Sequence, residues 1–248
     1  MKKPAAKFLG DQKFLLEENG GALAKYRALT IGEASIFYFL KFEIITTLFS
    51  AIPGGLGFFL RGIFYRGLFK SCGRGVVFGR NMTLRHPKKV SLGRGVVFDD
   101  NTVVDAKGIG NDGVRIGDHV LVGRNSILSC KGGSISLGDF TNIGPNNTLI
   151  SETTLEIGDH VFTAGHCYLI AGGNHSYDRK DIPIWSQPSV SRGGVRLEDD
   201  IWIGASVTVL DGVQIGRGSI IGAGSLVNRS IPAYAIAHGV PARVRRKR

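Results

Sequence analysis

One stretch of the chain, AGGNHSYDRKDIPIWSQPSVSRGG, between Leu169 and Val195, gathers side chains that could move a proton. It holds His175, Asp178, Asp181 and Trp185. An imidazole titrates close enough to neutrality to take a proton from a hydroxyl as that hydroxyl attacks. Asp178 is placed either to orient such a ring or to cap a turn. A histidine that only orders its loop is the plain structural alternative for His175. Cysteine chemistry is not indicated. Cys72, Cys130 and Cys167 are odd in number, far apart and form no CxxC pair, so neither a disulfide framework nor a zinc knuckle is expected. A reducing compartment is the simplest setting, and no metal site is expected.

Charge narrows the partners. The formal charge is +11 over 248 residues. Much of it sits at the two ends, as Lys2, Lys3 and Lys7 and as Arg243, Arg245, Arg246, Lys247 and Arg248, with no acid in either segment. A near-neutral body with basic ends suits phosphates or a lipid surface, with a solvated tail as the bland alternative. Nucleic acid is not expected, because no recognition motif or aromatic-basic platform accompanies the charge. Residues 1–20 lack an unbroken apolar run and contain Asp11, Lys13, Glu17 and Glu18, unlike a signal peptide. The expected location is cytoplasmic, with peripheral contact at the inner face of the cytoplasmic membrane.

That membrane expectation comes from the N-terminal third. Residues 33–52 read as a helix with one narrow polar stripe, Glu43, Thr46, Thr47 and Ser50, on an otherwise apolar cylinder. Pro53-Gly54-Gly55 breaks it, and a second segment over 56–70 mixes phenylalanines with Arg61, Arg66 and Lys70. The uncharged run from Ile44 to Leu60 is too short to span a bilayer. An interfacial hairpin over 33–70 is therefore expected, with packing on the next domain or on a neighbouring subunit as the alternative.

From Val76 onward a period of six takes over. Leu197, Ile203, Val209, Ile215, Ile221 and Val227 are all aliphatic, and the positions four later are small or β-branched. Leu92, Phe98, Val104, Ile116, Val122 and Leu128 hold an earlier phase, with Gly110 at the missing slot. Leu137, Ile143 and Leu149 hold another, and Ile157, Thr163 and Leu169 a third. Six residues make one flat face and a turn, and three faces close a triangular coil. The 36 glycines, twice the usual share of about 7%, fit turns that need positive φ. The expected fold is mainly β: a left-handed parallel β-helix of about seven coils over 73–232, with an inserted loop near 170–194. An α-helical segment fills 1–72, and a short basic tail follows at 233–248. In this frame Cys167 falls at an inward position, while His119 and His160 occupy turns.

These repeats, with Ile203-Gly204-Ala205-Ser206, Ile221-Gly222-Ala223-Gly224-Ser225, Ser230-Ile231-Pro232 and Gly239-Val240-Pro241-Ala242, resemble the hexapeptide-repeat acyltransferases. Within them the chain looks like the sugar O-acetyltransferases, such as maltose and galactoside acetyltransferases, and like enzymes that decorate surface polysaccharides. The resemblance implies acetyl transfer from acetyl-CoA, as co-substrate and without a metal, to a saccharide or lipid-linked saccharide hydroxyl. It implies His175 as catalytic base and places Asn146 near the acyl group or acceptor, an outward turn residue being the alternative for the latter. It puts Trp202 along the pantetheine path, or in outward packing, and backbone around Ala205, Gly222 and Ala223 along the pantetheine arm. Arg229, Arg243 and Arg246 would meet the phosphates. A homotrimer is implied, because the site needs two subunits. Transfer of a long acyl chain, or N-acetyl transfer to an amino sugar, is the alternative within the class. A non-catalytic membrane scaffold is the alternative outside it, and a zinc enzyme of the γ-carbonic-anhydrase type is disfavoured for want of paired histidines.

Overall fold

The computed structural model describes residues 21–248. Lys2, Lys3 and Lys7 and the opening part of the 1–72 segment lie outside the described residues.

Two to four extended residues, a turn and a new direction recur along the chain. Three sheets result, of seven, nine and seven strands, and each strand but the last pairs parallel with the one a full coil away. The chain visits the three faces in strict rotation, so the molecule is a three-sided parallel solenoid. Seven coils are complete, from Ser71–Cys72 on the first face to Leu226–Val227 on the third. An eighth opens at Ile231, which bridges to Ile215.

The register explains the period. Leu92, Ile116, Leu137, Ile157, Leu197 and Ile215 pair in succession up the first face. Leu84, Val104, Leu128, Leu149, Leu169, Val209 and Val227 do the same on the third. All these side chains are buried, each contributing about 1.5–3 kcal/mol by leaving water. Cys167 is buried at its inward position as well.

Two of the three edges are sharp. Between the first and second faces the left-handed backbone position is held by Gly95, His119, Phe140, His160, Asp200 and Tyr234 among others. Phe140 tolerates it while its ring stacks between His119 at 5.1 Å and His160 at 5.2 Å. Between the second and third faces the same position is held by Asn81, Asn101, Asn125, Asn146, His166 and Ser206. The extra residues that shift the phase all fall at the remaining edge, from the third face back to the first. They include 106–113, where Gly110 lies in a loop, and the long 172–194 excursion.

Both ends are elaborated. Helices α1 (Ala22–Thr30), α2 (Ile36–Phe49) and α3 (Gly54–Phe64) precede the solenoid. Ser35 caps α2 by accepting from Tyr38 N at 3.3 Å. Pro53 occupies the N-cap of α3, so this helix starts at Gly54, two residues before the start expected from the sequence. Tyr38, Phe39, Phe42 and Ile45 face the core. Arg61 is buried and fastens the helices to the first coil: Nε donates to Phe78 O at 2.9 Å, and one terminal nitrogen donates to Phe49 O at 3.1 Å and Ile52 O at 2.8 Å. At the other end the expected tail is a strand pair. Ala235–Gly239 adds to the second face, and Ala242–Lys247 folds back antiparallel on it. The direction reverses after Gly239, at Val240-Pro241, and an antiparallel return is invisible to a test for period six.

Candidate active site

The 172–194 excursion is held open by paired glycines at its two feet. Gly172, Gly173, Gly193 and Gly194 all have positive φ, from 77° to 124°. A Cβ on Gly194 would lie 2.3 Å from Thr154 O, so the re-entry point admits no side chain. Between the feet the chain doubles on itself. Ser176 N donates to Pro188 O and Val190 N to Asn174 O, with an antiparallel bridge between His175 and Ser189. Farther out, Gln187 Nε2 donates to Arg179 O at 2.8 Å. The excursion is thus a ribbon with its own hydrogen bonds.

A buried carboxylate on the next coil clamps this ribbon. Asp211 Oδ2 accepts from Asn174 Nδ2 at 2.9 Å and from Arg192 N at 2.7 Å, while Oδ1 accepts from Gly194 N at 2.9 Å. Sequence reasoning missed Asp211, which there resembles any turn aspartate in Leu-Asp-Gly. Its only signal was its place opposite the break in the period. His175 follows Asn174 directly, so the clamp sets where the imidazole stands.

His175 Nδ1 is buried and has no hydrogen-bond partner among the described residues. Asp178 does not supply one: its carboxylate accepts from Ser176 Oγ at 3.2 Å. The ribbon is extended where it leaves the prism, and residues three apart on such a strand point to opposite sides. Asp181 is engaged by Arg179, whose Nε donates to Oδ1 at 3.0 Å. That hydrogen bond holds the Asp181 carboxyl below its ordinary range, so it is an anion rather than an acid. Of the six histidines, His175 alone rises on the excursion. His86, His119, His160 and His166 hold left-handed turn positions, and His238 lies in a strand.

The second group of candidates shares the edge between the second and third faces. Asn125 Nδ2 donates to Asn146 Oδ1 at 3.0 Å, and Asn146 Nδ2 lies 3.5 Å from His166 Nε2. Asn146 is therefore a rung in a side-chain ladder, and its backbone is a rung in a second one. Asn146 N donates to Arg124 O, His166 N to Pro145 O, Ser206 N to Gly165 O and Gly224 N to Ala205 O. Above His166 the turn side chains shrink to those of Ala205, Ser206, Gly222, Ala223 and Gly224. The turns are stacked so closely that a Cβ on Gly204 would lie 2.6 Å from Ala223 N. Apart from the Ser206 hydroxymethyl this length of edge is close to bare backbone, which is what a thin chain with amide groups needs to lie against. Arg229, Arg243 and Arg246 are exposed on the coils and strand nearest its end. Trp202 is 53% exposed on the second face, paired with Phe162 below and Ile220 above.

Within one copy these two groups are not brought together. His175 stands on the edge from third face to first, and the bare edge runs between second and third, with the whole third face between them.

Two stretches match known family models: residues 194–229 match one described as bacterial transferase hexapeptide (six repeats), and residues 113–144 one described as hexapeptide repeat of succinyl-transferase. A probable acetyltransferase of Mycobacterium tuberculosis is 37% identical over 135 residues, covering 54% of this chain and 44% of that protein. Galactoside O-acetyltransferase of Lactococcus lactis is 33% identical over 139 residues, 54% of this chain and 62% of that protein. The protein named putative colanic acid biosynthesis acetyltransferase WcaF, of Escherichia coli, is 31% identical over 136 residues, covering 55% of this chain and 70% of that protein. The first two matches thus span less than two thirds of the relatives' own length. A solved structure of a variant of AntD, an N-acyltransferase from Bacillus cereus in complex with dTDP and coenzyme A, aligns with a TM-score of 0.51 and 23% identity. It covers 74% of this chain and 87% of that one, and so shares the fold.

Proposed function

The chain belongs to the hexapeptide-repeat acyltransferases, and from that premise we propose that it moves an acetyl group from acetyl-CoA to a hydroxyl of a saccharide. The observation that carries the reading is His175, an imidazole raised off the prism on a ribbon that a buried carboxylate clamps.

An acceptor hydroxyl is a weak nucleophile until a base takes its proton, and the His175 imidazole is the base. As the hydroxyl oxygen forms its bond to the thioester carbonyl carbon, the proton passes to the ring. When the carbon–sulfur bond breaks, the departing sulfur takes that proton back. No covalent acyl-enzyme is needed, and the buried thiols of Cys130 and Cys167 offer no nucleophile. The bare edge at Ala205, Gly222 and Ala223 fits a pantetheine arm, because its turns carry no side chain larger than the hydroxymethyl of Ser206. Arg229, Arg243 and Arg246 supply cations for the phosphates, and Trp202 offers a flat apolar surface beside that path. Asn146 donates and accepts on the same edge, toward the acyl oxygen or the acceptor.

Because His175 and this edge stand apart in one copy, the working site forms between copies, with the ribbon of one laid against the bare edge of the next. A closed homotrimer satisfies all three prisms at once.

Radiolabelled acetyl-CoA offered to saccharides with and without a free amine tests the reading. Alkali-labile label on the amine-free saccharide is expected. Label only on amines, stable to alkali, would reassign the acceptor group. No transfer to any saccharide would overturn the proposal.

A further inference from the structure

Helix α2 has two apolar faces, and the solenoid uses one. Tyr38, Phe39, Phe42 and Ile45 point into the core. Phe37, Leu40, Ile44 and Leu48, spaced three, four and four apart, form an exposed stripe on another side. Helix α3 repeats this with Leu56, Phe59 and Ile63. These seven side chains are 50–80% exposed. The few polar residues of α2 do not cover the stripe: Thr46 and Glu43 are half-buried, Thr46 Oγ1 donates back to Phe42 O at 2.8 Å, and Glu43 accepts from Tyr26 OH at 2.9 Å. Two helices thus direct apolar stripes into solvent, unlike ordinary surface helices.

The charge around this face is predominantly basic. From Glu33 to Asp100 there are ten bases and four acids, Glu33, Glu43, Asp99 and Asp100, and Asp100 is paired with Arg80. Lys41, Lys70, Arg74 and Lys88 are exposed, on α2 and on the first two coils next to it. A second copy docked through the same face would set these cations against their own equivalents. An anionic surface meets them with opposite charge. Among the described residues no helix is long and apolar enough to cross a membrane.

We infer that the α2–α3 face docks on an anionic lipid bilayer, with the exposed stripes of the two helices lying in the headgroup–acyl boundary and the surrounding lysines and arginines on the lipid phosphates. The face is separate from the His175 ribbon and from the bare edge, so docking leaves the proposed site open. Its effect is to hold the enzyme where an acceptor attached to lipid is found.

The full chain is sedimented with phosphatidylcholine vesicles, with and without phosphatidylglycerol. Binding to the anionic vesicles and weakening by salt are expected. Lys70→Gln and Arg74→Gln should each lower the partition coefficient about fivefold. Leu40→Ser and Ile44→Ser should each lower it about tenfold or more. Acetyl transfer to a soluble saccharide, measured without vesicles, should be unchanged in all four variants, which also reports that they fold. A full chain that stays in the supernatant with both vesicles would overturn the inference. So would variants that bind as well as the parent, or a Leu40→Ser variant that alters only the oligomeric mass, which would assign the face to a second copy. Vesicle binding is read independently of catalysis, so failure of the acetyl-transfer reading would leave this result standing.

Discussion

Asn174 and Asp211, 37 positions apart in sequence, are joined by a 2.9 Å hydrogen bond that ties the strand carrying His175 to the following coil. The same carboxylate accepts from Arg192 N and Gly194 N, so one side chain grips the ribbon at both feet. All three partners are donors. Asp211→Asn would turn an amide N–H₂ toward at least one of them and lose that foot. If His175 is the base, as proposed, Asp211 acts as a positioning residue. The expected result is a 10- to 100-fold lower kcat with little change in KM for acetyl-CoA, as misplacement by about 1 Å can produce. Limited proteolysis within 172–194 should accelerate in parallel. Wild-type kinetics with an intact ribbon would show that the clamp does not act through His175.

Replacing the proposed base itself should be more severe. His175→Ala is expected to lower kcat by about 10²–10⁴ while leaving acetyl-CoA binding intact. Calorimetric titration with CoA checks the binding, and stopped-time transfer assays check the rate. A variant that keeps full turnover would remove the imidazole from the mechanism.

The separation of the ribbon from the bare edge makes a prediction about mixtures. His175→Ala disables a ribbon, and Ala205→Trp fills the edge with an indole. Each variant alone should be inactive. Unfolded, mixed and refolded together, they should regain part of the activity, because some neighbouring pairs then carry one intact ribbon and one intact edge. A mixture as dead as its parents would place both halves of the site in a single copy.

A buried polar strut supports the coils beneath the site. Asn147 is fully buried. Its Nδ2 donates to Thr163 Oγ1 at 2.8 Å and Ala164 O at 2.9 Å, and its Oδ1 accepts from Cys167 N at 2.6 Å. Asn147→Leu removes all three hydrogen bonds; Thr163 Oγ1 keeps Gly144 N and Asn142 O, and Ala164 O keeps Cys167 Sγ, but Cys167 N is left without an acceptor inside the prism, at a cost of about 1–3 kcal/mol. The urea midpoint should fall markedly, with the slope preserved. An unchanged midpoint would mean that the coils relax around the leucine.

The thiols report the burial directly. Burial is the largest cause that pushes Cys130 up from an ordinary 9.0 to about 12, and burial also raises Cys167 and the half-buried Cys72. At pH 8 the native protein should react slowly with an aromatic disulfide, at Cys72 first, and all three thiols should react at once in denaturant. The sign of the linked stability follows. Above pH 9 the unfolded chain releases a proton that the folded Cys130 retains, so stability should fall as the solution is made more alkaline through that range.

The solenoid was legible because every coil repeats one choice: an aliphatic at the first position of six, a small or β-branched residue at the fifth and a left-handed residue at the turn. Thr163 and Cys167 could be placed in the interior although neither is a strong hydrophobe. The 172–194 ribbon was legible by the same test, as the place where the period fails. What held it was not, because Asp211 acts across 37 residues through a contact that only the stacking of coils creates. Asn147 was hidden for a related reason: it occupies a slot elsewhere filled by Ser126 and Cys167, and its partners come from the next coil. The orientation of α2 was illegible because apolar residues surround nearly the whole helix, so pattern alone could not say which stripe meets the core.

A stack of identical rungs has no inherent length, and its last rung offers open N–H and C=O groups to whatever strand arrives. Here the chain lays Ala242–Lys247 backward across that opening on the second face. The outermost strand carries Arg243, Arg245, Arg246 and Lys247, so two such ends repel each other. A shortened chain ending at Gly239 would lose both guards, and head-to-tail growth into fibres is the failure to expect of it.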